Sequence, residues 1–488
     1  FGLRILAALL REQGHQVNVL FLPDRGDHIR RLVMNKLFVY ADSVVDQVLE
    51  LCRDVDLVGV SLMTQYYDAA VQLTDAVHEK LRAKVIWGGI HATIRPEEAL
   101  GHADFVCVGE GEIALPDLAR RLDAGEPVDA VPGIWTKRDG QVVNNGPGPL
   151  VHDLDSLPFP AYDFENDWIL WEGNLERFTR ESLSRHLHAH FPSLVNPEWV
   201  CYQMITTRGC PYSCKFCGEV PLDDLYTKTK YLRRRSNDNI LAEIRHALTN
   251  IIDYNEIYFC DDTFLARPLE VVQDFARRYK EEFGLTMYCL VSPGNVTEPK
   301  MAAMVDAGLR NLGMGIQSGS DRMLKIYGRD GFGSRKQIDE AVRVLDLFND
   351  RLTPYYDIIH EDRYETHDDL MQTIDLIINL PRKARIRVYS LVPYPGTELY
   401  DQYKRDGLIT DDINECYRLL FGSRRIPYYL NVCIDMLFYG VPRGIVRIIS
   451  HPRLAWLMRQ PSVGRLFIGG LLFMKKIKSV IAKHLKGV

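Results

Sequence analysis

Nowhere in the chain is there an uninterrupted apolar run of the roughly 18 to 20 residues that a membrane-spanning helix needs. Excess positive charge is missing as well. The formal net charge is −6, which gives bulk electrostatics no reason to attract nucleic acid. A secretory signal pattern is lacking, and the ten cysteines do not read as a disulfide framework, since three of them cluster between Cys210 and Cys217. A reducing, cytoplasmic setting is expected. What is present is ordinary globular material, 46% apolar and 25% charged, in 488 residues with room for two or three domains and a large core.

The densest chemical signal is Thr206-Thr207-Arg208-Gly209-Cys210-Pro211-Tyr212-Ser213-Cys214-Lys215-Phe216-Cys217, which follows the apolar run Tyr202 to Ile205. Three thiols at spacing C-x3-C-x2-C in a short loop can each take one iron of a cubane cluster and leave the fourth iron open. An open iron is a place for substrate chemistry, whereas a fully ligated cluster mostly carries electrons. Cys201 could complete four ligands for structural zinc, yet zinc usually takes its cysteines as two short pairs, which this triplet does not supply. Gly209, Pro211 and Lys215 mark an open loop rather than unconnected buried thiols. The run Arg-Gly-Cys-Pro-Tyr-x-Cys-x-Phe-Cys resembles the signature of the radical S-adenosylmethionine (SAM) superfamily. That resemblance implies a [4Fe-4S] cluster on Cys210, Cys214 and Cys217, whose open iron chelates the amino and carboxylate groups of SAM. One electron into the sulfonium then releases a 5′-deoxyadenosyl radical.

Residues 1–130 alternate helices and strands: helix Leu3 to Gln13, strand Val17 to Leu22, helix Val44 to Cys52, strand Leu57 to Ser61, helix Asp68 to Arg82 and strand Lys84 to Trp87. Helix Pro96 to Gly101, strand Asp104 to Val108 and helix Ile113 to Leu122 continue the rhythm, which predicts a doubly wound, Rossmann-like α/β sheet with ligands beyond the strand ends. The chain opens at Phe1 directly in a helix, and an upstream strand is expected to lie outside this numbering. Three consecutive turns carry glycine: Gly59 to Thr64, including Ser61, Leu62 and Thr64; Gly88-Gly89-Ile90-His91-Ala92-Thr93; and Val108-Gly109-Glu110-Gly111-Glu112. Any one glycine pair reads as a tight turn. The three together resemble the cobalamin-binding domain fused to one branch of radical SAM enzymes, which implies a cobalamin site at Ser61, Leu62, Thr64, Gly88, Gly89, His91, Val108, Gly109, Glu110, Gly111 and Glu112. Asp24-Arg25-Gly26-Asp27-His28 departs from the Asp-x-His-x-x-Gly of histidine-ligating carriers, so no histidine ligand to cobalt is expected, and His91 is expected to hold the turn or the corrin edge.

Residues 131–199 read as a connector, with a hairpin from Gly133 to Val143 turning at Asp139-Gly140 and a rigid Leu157-Pro158-Phe159-Pro160-Ala161-Tyr162-Asp163 linker. Trp168, Trp171, Phe178 and Trp199 read as interface packing, with a substrate passage as the alternative. Residues 200–405 repeat strand and helix about six times, which predicts a partial (β/α)6 TIM-like barrel with its site at the strand carboxyl ends. By resemblance, Asp261 and Asp262 hold the SAM amino group, Gln317 and Ser320 contact its ribose, and Glu219 touches SAM. An N-cap is the other role open to Asp262. Tyr394 to Glu398 is expected near adenine or substrate.

Residues 406–488 turn apolar and basic; a helical cap and an amphipathic membrane contact are both open. The expectation is a cobalamin-dependent radical SAM enzyme methylating an unactivated carbon or phosphorus centre of a small molecule, hydrophobic or lipid-like if the tail meets a membrane at its cytoplasmic face. An electron donor such as flavodoxin or ferredoxin follows from that chemistry. A cyclase, ring-contracting or coupling enzyme of the same architecture, a cobalamin sensor with a structural cluster, and a domain that has lost cobalamin are the rivals.

Overall fold

Alternation of Val85 and Trp87 with Ile86 along one short strand sets the architecture of the N-terminal region, because it gives that strand two apolar faces. The computed structural model describes residues 1–23, 38–226, 231–419 and 428–451. The strands are β1 (Val19–Phe21), β2 (Leu57–Ser61), β3 (Lys84–Gly88), β4 (Phe105–Cys107), β5 (Ile134–Arg138), β6 (Gln141–Val143), β7 (Asp167–Trp171), β8 (Asn174–Arg177), β9 (Cys201–Met204), β10 (Thr207–Arg208), β11 (Arg233–Arg234), β12 (Glu256–Phe259), β13 (Thr286–Val291), β14 (Leu309–Gln317), β15 (Thr353–His360) and β16 (Arg385–Ser390). They fall into two compact units. Of the described residues, the first comprises those within 1–291, 298–312 and 392–419, and the second those within 292–297, 313–391 and 428–451.

In the first unit one sheet has the order β2-β3-β4-β5-β6. β2, β3 and β4 are parallel, and the β5–β6 hairpin adds antiparallel, turning at Asp139 and Gly140, both at positive φ. One face packs Val85, Trp87 and Val106 against Val77 and Leu100, and Trp87 Nε1 donates to Thr74 Oγ1 at 2.8 Å. The other packs Ile86, Phe105 and Ile134 against Leu118. Helices cover both faces, as parallel strands require.

β1 departs from expectation. It pairs with β7, in a separate sheet ordered β1-β7-β8, with Val19 opposite Asp167 and Phe21 opposite Ile169. The cause is an anchor outside the strand itself. Asp167, fully buried, accepts from Arg4 and from Arg11 at 3.0 Å each, while the Arg4 guanidinium lies 3.7 Å from the Tyr162 ring centre. Phe21 also packs on Phe178, with ring centres 5.5 Å apart. The connector is thus folded structure, and Trp168 and Trp171 are strand residues.

The first unit also holds β9, β12 and β13, parallel and in that order, leading into the first residues of β14. The second unit carries the end of β14 with β15 and β16, again parallel neighbours. Its helix His367–Asn379 is opened by a Thr366–Asp369 capping box. Helix Tyr429–Phe438 packs on it, and Arg443 donates to the carbonyls of Ile378, Leu380 and Pro381. Over residues 428–451 the tail therefore caps the second unit. The remaining apolar and basic tail, and Asp24 to His28, lie outside the described residues. Among those described, no helix is long and apolar enough to cross a membrane.

Candidate cofactor cavity

β9 delivers Ile205 and Thr206 to the head of the cysteine loop, where one carboxylate sets the backbone. Asp261, at the end of β12, accepts from the amides of Thr206 at 2.6 Å and Thr207 at 2.9 Å and from the Thr206 hydroxyl; Arg267 faces it at 3.4 Å. Gly209 then turns the chain at φ +83°, where a Cβ would lie 2.9 Å from the Tyr231 ring. Cys210, Cys214 and Cys217 follow, each partly exposed, with the Cys217 amide donating to the Cys214 carbonyl at 3.0 Å. Burial pushes the Cys210 thiol up to about 12 and raises Cys217 as well. Cys201 is elsewhere: its thiol donates to buried Glu256 at 3.1 Å, which removes it from any fourth-ligand role. Among the described residues, no three His, Cys, Asp or Glu side chains converge as a single-ion site.

A cavity of about 400 Å3 adjoins this loop within the first unit. Its walls include Gly59, Ser61, Gly88, Gly89, Gly109, Glu110, Gly111 and Glu112 from the turns after β2, β3 and β4, and Thr207, Arg208, Gly209, Glu219, Asp261 and Asp262 from the cluster side. Leu157, Pro158 and Pro160 of the connector line it too, as does Cys260. The linker motif is therefore a wall of the cavity, a role its proline spacing did not reveal.

The expected residues divide in three. Ser61, Gly88 and Gly89 reach the cavity, and Gly89 sits at φ +89°, where a Cβ would come within 2.8 Å of the Leu62 carbonyl. Leu62, Thr64, His91 and Val108 are instead packed inside. His91 lies 3.3 Å from the Thr64 hydroxyl and between the rings of Tyr67 and Tyr417, and burial pushes its pKa down to about 4. It holds the turn and stays neutral. Asp261 is consumed by the loop it positions, which leaves Asp262 and Glu219 as carboxylates that line the cavity and, among the described residues, have no ion-paired cation. Burial pushes both pKa values up, helped by repulsion from Asp262 and Asp223 at Glu219 and from Asp261 and Asp223 at Asp262.

Gln317 and Ser320 belong to the second unit. Gln317 ends β14 at φ +62°, and Ser320 is fully buried as the cap of helix Asp321–Ile326, its hydroxyl donating to Asp369 at 2.5 Å. That bond occupies the hydroxyl expected to face ribose. Tyr394 to Glu398 lies against the stretch that carries the cysteine loop. It begins a strap along the first unit: the Leu399 amide donates to the Lys215 carbonyl at 2.9 Å, Lys215 pairs with Glu398, Arg95 donates to Tyr400, Tyr417 donates to Glu98 at 2.7 Å, and Arg418 pairs with Asp68. A Cβ on Gly396 would touch Pro221 and Ile94 at 3.2 and 3.4 Å.

The residues fit the groups that the sequence implies. Three thiols on one open loop suit a cluster with a free iron, two carboxylates without an ion-paired cation among the described residues suit an ammonium, and glycine turns leave room for a flat macrocycle. Fold and cavity together define a radical SAM enzyme with a corrin-binding half. Residues 1–119 match the B12 binding domain and residues 204–377 the Radical SAM superfamily, and the chain belongs to the cobalamin-binding radical SAM enzymes, whose cofactors are a [4Fe-4S] cluster, SAM and cobalamin. It is 27% identical to an uncharacterized methyltransferase of Pyrococcus horikoshii over 92% of this chain and 90% of that one. Identity to the bacteriochlorophyllide d C-8(2)-methyltransferase of Chlorobaculum tepidum is 23%, over 75% and 72%. Among solved structures, the cobalamin-dependent SAM radical enzyme OxsB with aqua-cobalamin and SAM bound shares the fold at a TM-score of 0.62 and 16% identity, over 97% of this chain and 81% of that one.

Proposed function

We propose that the chain transfers a methyl group derived from SAM to an unactivated carbon, or phosphorus, of a small-molecule substrate. One observation carries this: a single cavity is walled both by the glycine turns of the B12-binding region and by the residues flanking the cluster cysteines. A reaction that draws on two cofactors needs both to open on one space, whereas a corrin sensor with a structural cluster does not. The methyltransferase names of the Pyrococcus and Chlorobaculum relatives support the same reading. When bound, SAM on its cluster supplies hydrogen abstraction and cobalamin supplies the methyl group. The protein's part is placement. Cys210, Cys214 and Cys217 would hold the cluster, and Asp262 with Glu219 would take the SAM amino group. Asp261 holds the head of the loop in register, and Leu154, Leu157 and Pro158 keep water from the walls.

Reductive SAM cleavage requires a one-electron donor, for which a flavodoxin or ferredoxin is the proposed partner. A hydrophobic substrate suits a cavity with apolar walls. Ile445 and Ile448, exposed on the helix that also carries Arg443 and Arg447, offer the contact that a membrane-held substrate would need.

The test is anaerobic reconstitution with iron, sulfide and hydroxocobalamin, followed by SAM and a strong reductant. Bound corrin, 5′-deoxyadenosine and S-adenosylhomocysteine together support methyl transfer. Deoxyadenosine without S-adenosylhomocysteine would move the assignment to a cyclase or rearrangement, and corrin binding without SAM cleavage to a sensor.

A further inference from the structure

Arg208, next to the cluster loop, and Arg233 stand opposite each other across the short β10–β11 ladder. Like charges placed so repel, and the ladder of two residue pairs is too short to hold them together by itself. What lies against them is the turn after β4. Glu110 pairs with Arg208 at 2.8 Å and with Arg233 at 2.5 Å, and Glu112 pairs with Arg208 at 2.5 Å. These side chains are little exposed: 18% for Arg208, 7% for Arg233, 9% for Glu110 and 6% for Glu112. Glu110 and Arg233 make further bonds. The Val151 amide donates to Glu110, and Arg233 donates to the carbonyls of Val151 and Tyr231. Below it the turn is pinned by its backbone: the Gly109 amide donates to Thr93 and the Glu110 amide to the Tyr226 hydroxyl. A Cβ on Gly109 would overlap that hydroxyl at 1.8 Å.

Glu110 is engaged on both oxygens and Glu112 is paired with Arg208, so both carboxylates already serve the protein's own structure. We infer that Glu110 and Glu112 are positioning residues, which clamp the strand carrying the cluster loop to the turn after β4 and so fix the separation between cluster and corrin. The inference rests on the two-cofactor reading above and adds the residues that set its geometry. A fixed separation matters because a substrate radical formed near SAM must meet the methyl donor before it is quenched.

The test compares the full reconstituted chain with Glu112→Gln and Glu110→Gln, reading the dipolar coupling between the reduced cluster and cob(II)alamin by pulsed electron paramagnetic resonance. Iron and corrin contents should stay at wild-type levels while the distance distribution broadens. The ratio of 5′-deoxyadenosine to S-adenosylhomocysteine should rise about tenfold, with the KM for SAM little changed. Glu112→Asp should restore the narrow distribution, which a loss of folding would not allow. If Glu110→Gln does not fold, Glu112→Gln decides alone. Full cofactor content with an unchanged distance distribution and ratio would overturn the clamp. If the wild type takes up no corrin, the two-cofactor reading fails instead. Amide exchange over residues 205–217 of the cluster-loaded protein then decides the clamp: about tenfold faster exchange in Glu112→Gln supports it, and unchanged exchange sinks it.

Discussion

Two pairs of carboxylates face the same cavity under opposite conditions. Glu110 and Glu112 meet two guanidiniums, and Glu110 is held below the usual carboxylate range by Arg233 and Arg208 in spite of its burial. Glu219 meets Asp262 and Asp223, and Asp262 meets Asp261 and Asp223; neither has an ion-paired cation among the described residues, and burial with this repulsion pushes both up. The difference separates architecture from appetite. A saturated carboxylate has spent its charge on holding the protein together, while one that repels its neighbours gains when a cation arrives.

The contrast breaks hardest at Arg208. Arg208→Met leaves Glu112 without its cation and should cost about 3–5 kcal/mol, seen as a lower urea midpoint at unchanged slope. An unchanged midpoint would mean that the carboxylates are not holding structure. His91 sharpens it with a third condition, a group kept neutral among Tyr67, Tyr417, Arg95, Glu98 and His102. Its pKa falls from 6.5 unfolded to about 4 folded. The unfolded chain therefore binds the proton first, so stability is intact above pH 6.5 and declines by about 3 kcal/mol as pH drops toward 4. His91→Phe should flatten that part of the pH profile of thermal unfolding. At Asp262 the sign reverses. Asp262→Asn should slow SAM cleavage about 100-fold, near 2.7 kcal/mol, while leaving the urea midpoint equal or higher, because it removes repulsion. A lower midpoint with intact cleavage would place Asp262 with the structural carboxylates. The smallest effect is expected at the half-exposed Lys215–Glu398 pair, where Glu398→Gln should cost under about 1 kcal/mol and fade further in salt.

Much of this was readable in the sequence, and unevenly so. The cysteine spacing points directly to the proposed cluster ligands, and the period of strands and helices predicted the parallel sheets. The Asp139-Gly140 hairpin was legible because its turn needs positive φ at both positions. Asp261 and Asp262 show the limit. Both lie just beyond β12 and line the cavity, and only the fold reveals that the first is spent on the amides of Thr206 and Thr207. Likewise, no local pattern pairs Val19 with Asp167, or gives Arg208 the partners Glu110 and Glu112, since those contacts join distant stretches. The glycines of the turn after β4 read as room for a ligand, whereas Gly109 makes room for Tyr226.

The strap that runs from Gly396 to Arg418 bears on how such a protein can be recombined. It grips Lys215 and Pro221 beside the cluster, and Asp68, Arg95 and Glu98 in the N-terminal region, so late residues are matched to two early stretches at once. Grafting the N-terminal region of a relative onto this barrel would present Tyr417 and Arg418 with foreign partners. A workable chimera has to keep residues 392–419 matched both to the N-terminal region and to the stretch from Arg208 to Arg233, as one module written in three places along the chain.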